Sequence, residues 1–314
     1  MKEPAIISIA RFVEEGITDI DQLKRALQLA MQLEFATLPP YLCAEWSIDD
    51  NNDPDHVANT INGIALQEMY HFALAGNMLA AIGGTPSVAR ADFIPKYPTT
   101  ELPGGIQQKL PVDLRPLSKA QLEVFLQIEY PEFLPVALAL VERPTTIGAF
   151  YDTIAAGFKT VNPPIFEAPL GIKLGEVFRI TTVADAQAAI SLIKGEGEGT
   201  EGSPDQPPPN STMFAHYYTF KEILTGHKLV NQSGKWSFSG APVQFPSVLE
   251  FKPAPAGSNP SDGFSRILSL LLMKLEECWK ISGVRPDINL MFQLHDEGRK
   301  LIRQGIQPEF VWGN

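Results

Sequence analysis

Residues 61–82 read INGIALQEMYHFALAGNMLAAI. Apolar side chains at Val57, Ile61, Ile64, Ala75, Met78 and Ile82 share one face of a helix with a period of 3.6 residues. Glu68 and His71 fall in phase with that stripe, between Ile64 and Ala75. A carboxylate and an imidazole on a buried helix face are costly unless they are paired or bound to metal. Three residues apart, they are surface neighbours that reach one ion together. This is the Glu-x-x-His half-site of a metal-binding helical bundle. A hydrogen-bonded core pair would explain the tetrad equally well if no other helix supplied matching donors.

The bulk composition narrows the setting. The 314 residues, 44% hydrophobic and 19% charged, are those of a globular chain that buries a large core. A net charge of −11 argues against nucleic acid or an anionic membrane as partner. No uninterrupted apolar run reaches membrane-spanning length, and the N-terminus lacks a secretory apolar core. Cys43 and Cys278 each lie in a helical pattern, so two small buried thiols and a reduced, cytoplasmic setting are expected.

Outward from the tetrad, three further helices carry the same anomaly. The first begins near Asp19 and runs Leu23, Leu27, Ala30, Glu34, Tyr41, with Pro39-Pro40 expected to kink or break it. The second spans about 55–82 and stops at Gly83-Gly84; its His56 reads as a surface residue. Residues 85–116 contain six prolines and no sustained period, which suits a long crossover rather than a tight hairpin. The third helix opens with a Ser118/Gln121 capping box and runs Leu122, Phe125, Glu129, Val136, Leu140. Glu129 is the first choice of donor there, and Glu132 the alternative. Residues 146–158 form a shorter helix.

The fourth helix starts near Thr182 and carries Ala186, Ala189, Ile190 and Ile193 toward Glu196, again in phase. GEGEGTEGSPDQPPPN then interrupts it, and Glu198, Glu201 and Asp205 read as solvated loop carboxylates. Helix resumes near residues 211–212 with Met213, His216, Phe220 and Ile223 on one face, up to Gly226. His216 therefore repeats the anomaly of His71, although single core histidines are more often simply hydrogen-bonded. Residues 229–260 are extended, with a turn at 232–234. Two amphipathic helices, 261–281 and 287–303, read as a hairpin packed on the bundle, with Phe310 and Trp312 tucked against it.

Collected, the in-phase polar residues are Glu34, Glu68, His71, Glu129, Glu196 and His216. Four carboxylates and two imidazoles match the needs of two adjacent first-row metal ions. Lys and Arg are absent from these stripes, so a bound cation is the economical counter-charge. The set disfavours zinc, which takes fewer carboxylates, and magnesium, which takes fewer nitrogens. No phosphate-binding glycine loop, serine elbow or Cys-x-x-Cys pair competes with this reading.

The runs LEFATLPPYLCAEWSI (33–48) and EMYHFALAGNMLAAIGG (68–84) resemble the ferritin-like module of iminophenyl-pyruvate dimer synthases. Those enzymes couple amino-acid-derived imines on the way to violacein and indolocarbazole pigments. LQIEYPE, AFYDTI, KGEGEGT and FAHYYTFKEIL extend the similarity over most of Leu23–Leu224. The resemblance implies metal-ligand roles for Glu34, Glu68, His71, Glu129, Glu196 and His216. Two departures stand out: nineteen residues separate Glu196 from His216, and the pigment-pathway synthases are much longer chains.

The expected architecture is all-α: a ferritin-like four-helix bundle with a long crossover, a broken fourth helix and an added C-terminal helical hairpin. Residues 1–228 would form the bundle and 229–314 the extended segment and hairpin. The expected centre holds two metal ions, iron first and manganese second, and uses dioxygen to oxidise a small organic substrate. Tyr41 and Tyr70 are candidates for hydrogen bonds to the ligands. Metal or iron handling without catalysis is the alternative, and a purely structural helical domain a third. Neither nucleic acid nor membrane is expected as partner; a homodimer is compatible with this reading.

Overall fold

The computed structural model describes residues 8–106, 109–131, 146–166, 170–206, 213–255 and 257–313. Two long helices form its spine: α2 (Ile20–Trp46) and α3 (Val57–Ala81), after a short α1 (Ile9–Glu15). Asp19 caps α2 in a reciprocal box with Gln22, which satisfies two of the orphan amides at that end. The two helices pack along their length.

Pro39 and Pro40 do not break α2, contrary to expectation. Pro40 removes the amide that would have bonded to the carbonyl of Ala36. The hydroxyl of Tyr97, on the crossover, donates to that carbonyl at 2.5 Å instead. The helix therefore stays continuous because tertiary structure replaces a missing bond.

The other two legs of the bundle are each in two pieces among the described residues. α4 (Lys119–Ile128) ends at Glu129, its C-cap; Val136 and Leu140, the rest of the expected stripe, lie outside the described residues. Ser118 caps it, but Gln121 turns its side chain to the carbonyl of Asp113 and leaves the box one-sided. Glu132, the alternative donor, lies outside the described residues. α5 (Ile147–Val161) begins at Thr146. The last leg is broken as expected, into α6 (Val183–Glu196) and α7 (His216–Thr225). α5 packs on α6 and α4 on α7, so the halves pair in antiparallel order.

Gly226 closes α7 in the left-handed conformation and leads into a two-stranded ribbon, β1 (His227–Gln232) and β2 (Lys235–Pro242). Ser233 and Gly234 both have positive φ at its turn, the geometry that matches strand twist in a two-residue hairpin. α8 (Asp262–Lys280) and α9 (Ile288–Arg303) pack together and against the outer sides of α3 and α2. Asn77 of α3 is one clamp: it bonds Ile172, the carbonyl of Phe178 and the indole of Trp279. Phe310 is buried against Trp46 and Phe264. Among the described residues, no helix is long and apolar enough to cross a membrane.

Candidate metal centre

The breaks in the third and fourth legs lie at one level of the bundle, where all six sequence candidates are buried. Glu34, Glu68, His71, Glu129, Glu196 and His216 are each at most 3% exposed. The chain reaches this arrangement despite the nineteen-residue interruption. The amide of His216 donates to the carbonyl of Gly197 at 3.0 Å, so the start of α7 is stitched to the end of α6.

Three carboxylates share one pattern, in which one oxygen is held by a hydroxyl and the other faces a histidine. Tyr151 donates to Glu34 Oε1 at 2.5 Å, and Tyr41 to Glu129 Oε1 at 2.6 Å. Thr37 Oγ1 is shared between the Glu34 carbonyl and Glu68 Oε2, at 2.8 and 2.9 Å. The opposite oxygens point inward. His71 Nδ1 lies 3.8 Å from Glu34 Oε2 and 3.6 Å from Glu68 Oε1. His216 Nδ1 lies 2.9 Å from the same Glu68 oxygen and 3.6 Å from Glu129 Oε2.

The result is two three-donor clusters, Glu34–Glu68–His71 and Glu68–Glu129–His216, whose donor atoms lie within 4.8 Å of one another. They share Glu68. The imidazole rings stack with centroids 5.7 Å apart.

Glu196 belongs to neither cluster. Its Oε2 lies 2.9 Å from His71 Nε2, on the far edge of that ring, and its Oε1 accepts from Gln67 Nε2 at 2.8 Å. Gln67 Oε1 in turn lies 3.1 Å from His216 Nε2. Glu196 and Gln67 thus bridge the outer nitrogens of both histidines. With Nε2–H donating outward, a neutral imidazole keeps its Nδ1 lone pair turned inward.

Sequence reasoning missed Glu198, which it read as solvated. Only 4% of this residue is exposed. It lines a cavity of about 20 Å³ together with Glu34, Glu68, His71 and Glu129, a cavity that Glu196 does not line. The chain turns inward after α6, where Gly199 adopts φ 87° and bonds back to Lys194. Gly148 of α5 leaves room for the carboxylate, since any Cβ there would overlap Glu198 Oε2. Glu201 and Asp205 are exposed as expected, Asp205 accepting from the indole of Trp236. Gln67, Thr37 and Tyr151 were likewise not anticipated. Of the two tyrosines that were, Tyr41 reaches the site; Tyr70 makes no hydrogen bond to it among the described residues and lines a second cavity.

The electrostatics show what the donor set lacks. Burial, reinforced by the charge of Glu68, raises the Glu34 carboxyl to about 7. Burial would lower His216, but Glu129 and Glu68 outweigh it and raise the imidazole to about 9. His71 is likewise raised, with Glu196, Glu34 and Glu68 overcoming burial. Glu68 is held below the usual carboxylate range: burial pushes it up, and the two histidines pull it down further. Burial, then Glu129 and Glu34 respectively, raise the phenols of Tyr41 and Tyr151, which remain protonated donors. Protons are therefore drawn into the cluster as counter-charge.

His216 Nδ1 shows that they fit poorly. It is fully buried and 2.9 Å from Glu68, yet lacks hydrogen-bond alignment with any acceptor among the described residues. Inward lone pairs beside inward carboxylates are the donor set of a cation site, and the residues present fit a pair of first-row metal ions.

The model of the ferritin-like family matches residues 27–225, from within α2 to the end of α7. The chain belongs to the ferritin-like family. A ferritin-like protein from Caulobacter vibrioides has a similar structure: the TM-score is 0.71 at 20% identity, over 94% of this chain and all of that one. That likeness is one of fold. No curated protein matches.

Proposed function

We propose that this ferritin-like chain is a non-haem di-metal oxidoreductase, using iron first and manganese second, that oxidises a small organic substrate with dioxygen. The observation that carries this reading is that Glu68 Oε1 faces both His71 and His216, which supports two adjacent sites that share this carboxylate. Glu34 and His71 would hold one ion, Glu129 and His216 the other. Glu198, whose carboxyl lines the same cavity, would be the fourth carboxylate. Glu196, expected as a ligand, would instead orient His71 from behind.

Bound metal would supply dioxygen activation and would relay the two electrons lost by the substrate to dioxygen. The chain's own residues do the rest. Tyr151, Tyr41 and Thr37 fix the carboxylate orientations before any ligand arrives. Phe125 and Phe220 pack edge-on against Tyr41 and exclude water behind Glu129. The cavity is lined on its outer side by Gly148, Ile193 and Lys194 of α5 and α6, the natural approach for a small molecule. An amino-acid-derived imine is the substrate class that the resemblance to iminophenyl-pyruvate dimer synthases favours. Residues 1–228 would be the catalytic unit, working in the cytoplasm, with 229–314 as an added layer.

A second reading, iron handling without an organic substrate, draws on the cavity's size. About 20 Å³ holds a water-sized molecule and no larger. Oxygen-electrode measurements on the iron-loaded protein separate the two. Sustained oxygen uptake on adding an imine or amine supports the oxidoreductase. Uptake that stops after the bound ferrous iron is consumed, whatever organic compound is present, supports iron handling.

A further inference from the structure

On the opposite side of the α2–α3 pair from the metal centre lies a second cavity, of about 550 Å³. The two helices divide their faces: α2 turns Glu34, Thr37 and Tyr41 to the metal centre, and Leu38 and Leu42 to this cavity. Met69 lines it from α3, and Leu271 and Met291 from α8 and α9. Among the described residues, none lines both cavities. Protein interiors are close-packed, with few voids larger than a water molecule. A void of this size, with walls almost wholly apolar, has the dimensions of a small-molecule site.

Two residues of its wall that touch each other, Trp46 and His295, carry polar groups. Trp46, in the cavity wall, is 1% exposed, and its buried indole N–H has no acceptor among the described residues. A buried donor left unmet costs the full desolvation of that group. His295, also in the wall, packs edge-on against Trp46 with centroids 5.9 Å apart. Its Nε2 is 3.8 Å from Glu45 Oε2, itself buried with no hydrogen-bond partner among the described residues, and its Nδ1 is 3.6 Å from Asp296 Oδ1, both beyond hydrogen-bond reach. Glu45 holds the imidazole above its usual pKa, which keeps it a donor. At the rim, Leu66 and Phe292 are 42% and 64% exposed, so the apolar interior opens to solvent through apolar side chains.

The structure assigns this cavity as a binding site for a single-chain amphiphile: an aliphatic chain along the apolar walls, its hydrogen-bond-accepting head group at Trp46 and His295. A fatty acid has that chemistry. The acyl chain of a membrane lipid shares it in part, and the test separates the two. The site is independent of the metal assignment, because it rests on other residues.

Metal-loaded full-length protein is titrated with the fluorescent fatty acid cis-parinaric acid, then competed with palmitic acid, dodecane or phosphatidylcholine vesicles. Saturable binding of one equivalent, displaced by palmitic acid and poorly by dodecane, is expected. Trp46→Phe removes the N–H together with part of the ring, and should weaken binding at least about tenfold, the worth of one buried hydrogen bond. Leu66→Trp, at the exposed rim, should block entry while the fold stays intact, as shown by an unchanged circular-dichroism spectrum and melting temperature. Absence of saturable binding, unchanged affinity in both variants, or association with vesicles alone would overturn the assignment. So would burial of this face in a dimer that dissociates on Phe292→Asp without gaining fatty-acid binding.

Discussion

His71 and His216 turn their Nδ1 atoms to one and the same carboxylate oxygen, Glu68 Oε1, from 3.6 and 2.9 Å. Each ring is braced from outside, His71 by Glu196 and His216 by Gln67. Two imidazoles aimed at one buried oxygen would suit a carboxylate shared by two cations, and Glu68 is then the place where one change affects both sites. Glu68→Ala should remove both metals, whereas Glu34→Ala should remove about one equivalent, because Glu34 serves one cluster only. Elemental analysis of the two variants, loaded identically, checks this. Equal loss from both would mean that Glu68 is not shared.

On the proposed reading Glu196 and Glu198 would exchange the roles expected from sequence, and their variants should differ accordingly. Glu198→Ala should cost about one metal equivalent, since its carboxyl lines the cavity with three of the cluster's acids. Glu196→Gln should keep both metals and weaken their affinity roughly 10- to 100-fold, the usual effect of losing an outer partner of a ligating histidine. Competition with a calibrated chelator measures both. If Glu196→Gln loses a full equivalent and Glu198→Ala loses none, the ligand assignment reverts to Glu196.

The metal-free protein should be least stable at high pH. Glu34, raised from 4.5 to about 7, and His216, raised from 6.5 to about 9, both hold their protons more tightly folded than unfolded. Each contribution is complete below the unfolded value and disappears as pH rises through the folded one. Thermal melting of the apo protein should therefore fall steadily from about pH 5 to about pH 9. Glu68 and Glu196, both lowered, act in the opposite sense, and their stabilising contribution is lost only as pH falls below the carboxylate range. Metal replaces the protons, so the loaded protein should show a much flatter profile. An apo melting temperature that rises across this window would contradict the account.

Tyr97→Phe tests the intact α2 helix. It leaves the Ala36 carbonyl, already stripped of its helical partner by Pro40, without a donor. A loss of about 1–3 kcal/mol in urea unfolding is expected, the cost of a buried unmet polar group. Replacing Pro40 with Ala in the same background should recover part of it by restoring the amide. Wild-type stability in Tyr97→Phe would show that the carbonyl finds another partner.

Residues in phase with apolar stripes carried most of what could be read from the sequence. Glu34, Glu68, His71, Glu129 and His216 all meet at one level because a 3.6-residue period states which face is buried. That period carries no information past the last turn of a helix. Glu198 is brought inward by a glycine turn and by the backbone bond from His216 to the Gly197 carbonyl, neither of which leaves a periodic trace. Pro39-Pro40 misled for a related reason. The rule that proline breaks a helix is local, and Tyr97, far along the chain, overrides it. Gln67 lies one residue from Glu68 and off its stripe, so its bridge to Glu196 and His216 becomes visible only once α6 and α7 stand beside α3.

The central claim is a pair of ions bridged by Glu68. Its most direct test is the metal stoichiometry of the full-length protein after anaerobic loading with ferrous iron and removal of unbound metal. Two equivalents of iron per chain are predicted, with an absorption or Mössbauer signature of coupled ions after exposure to air. Less than about one equivalent, or iron that remains magnetically isolated, would contradict it.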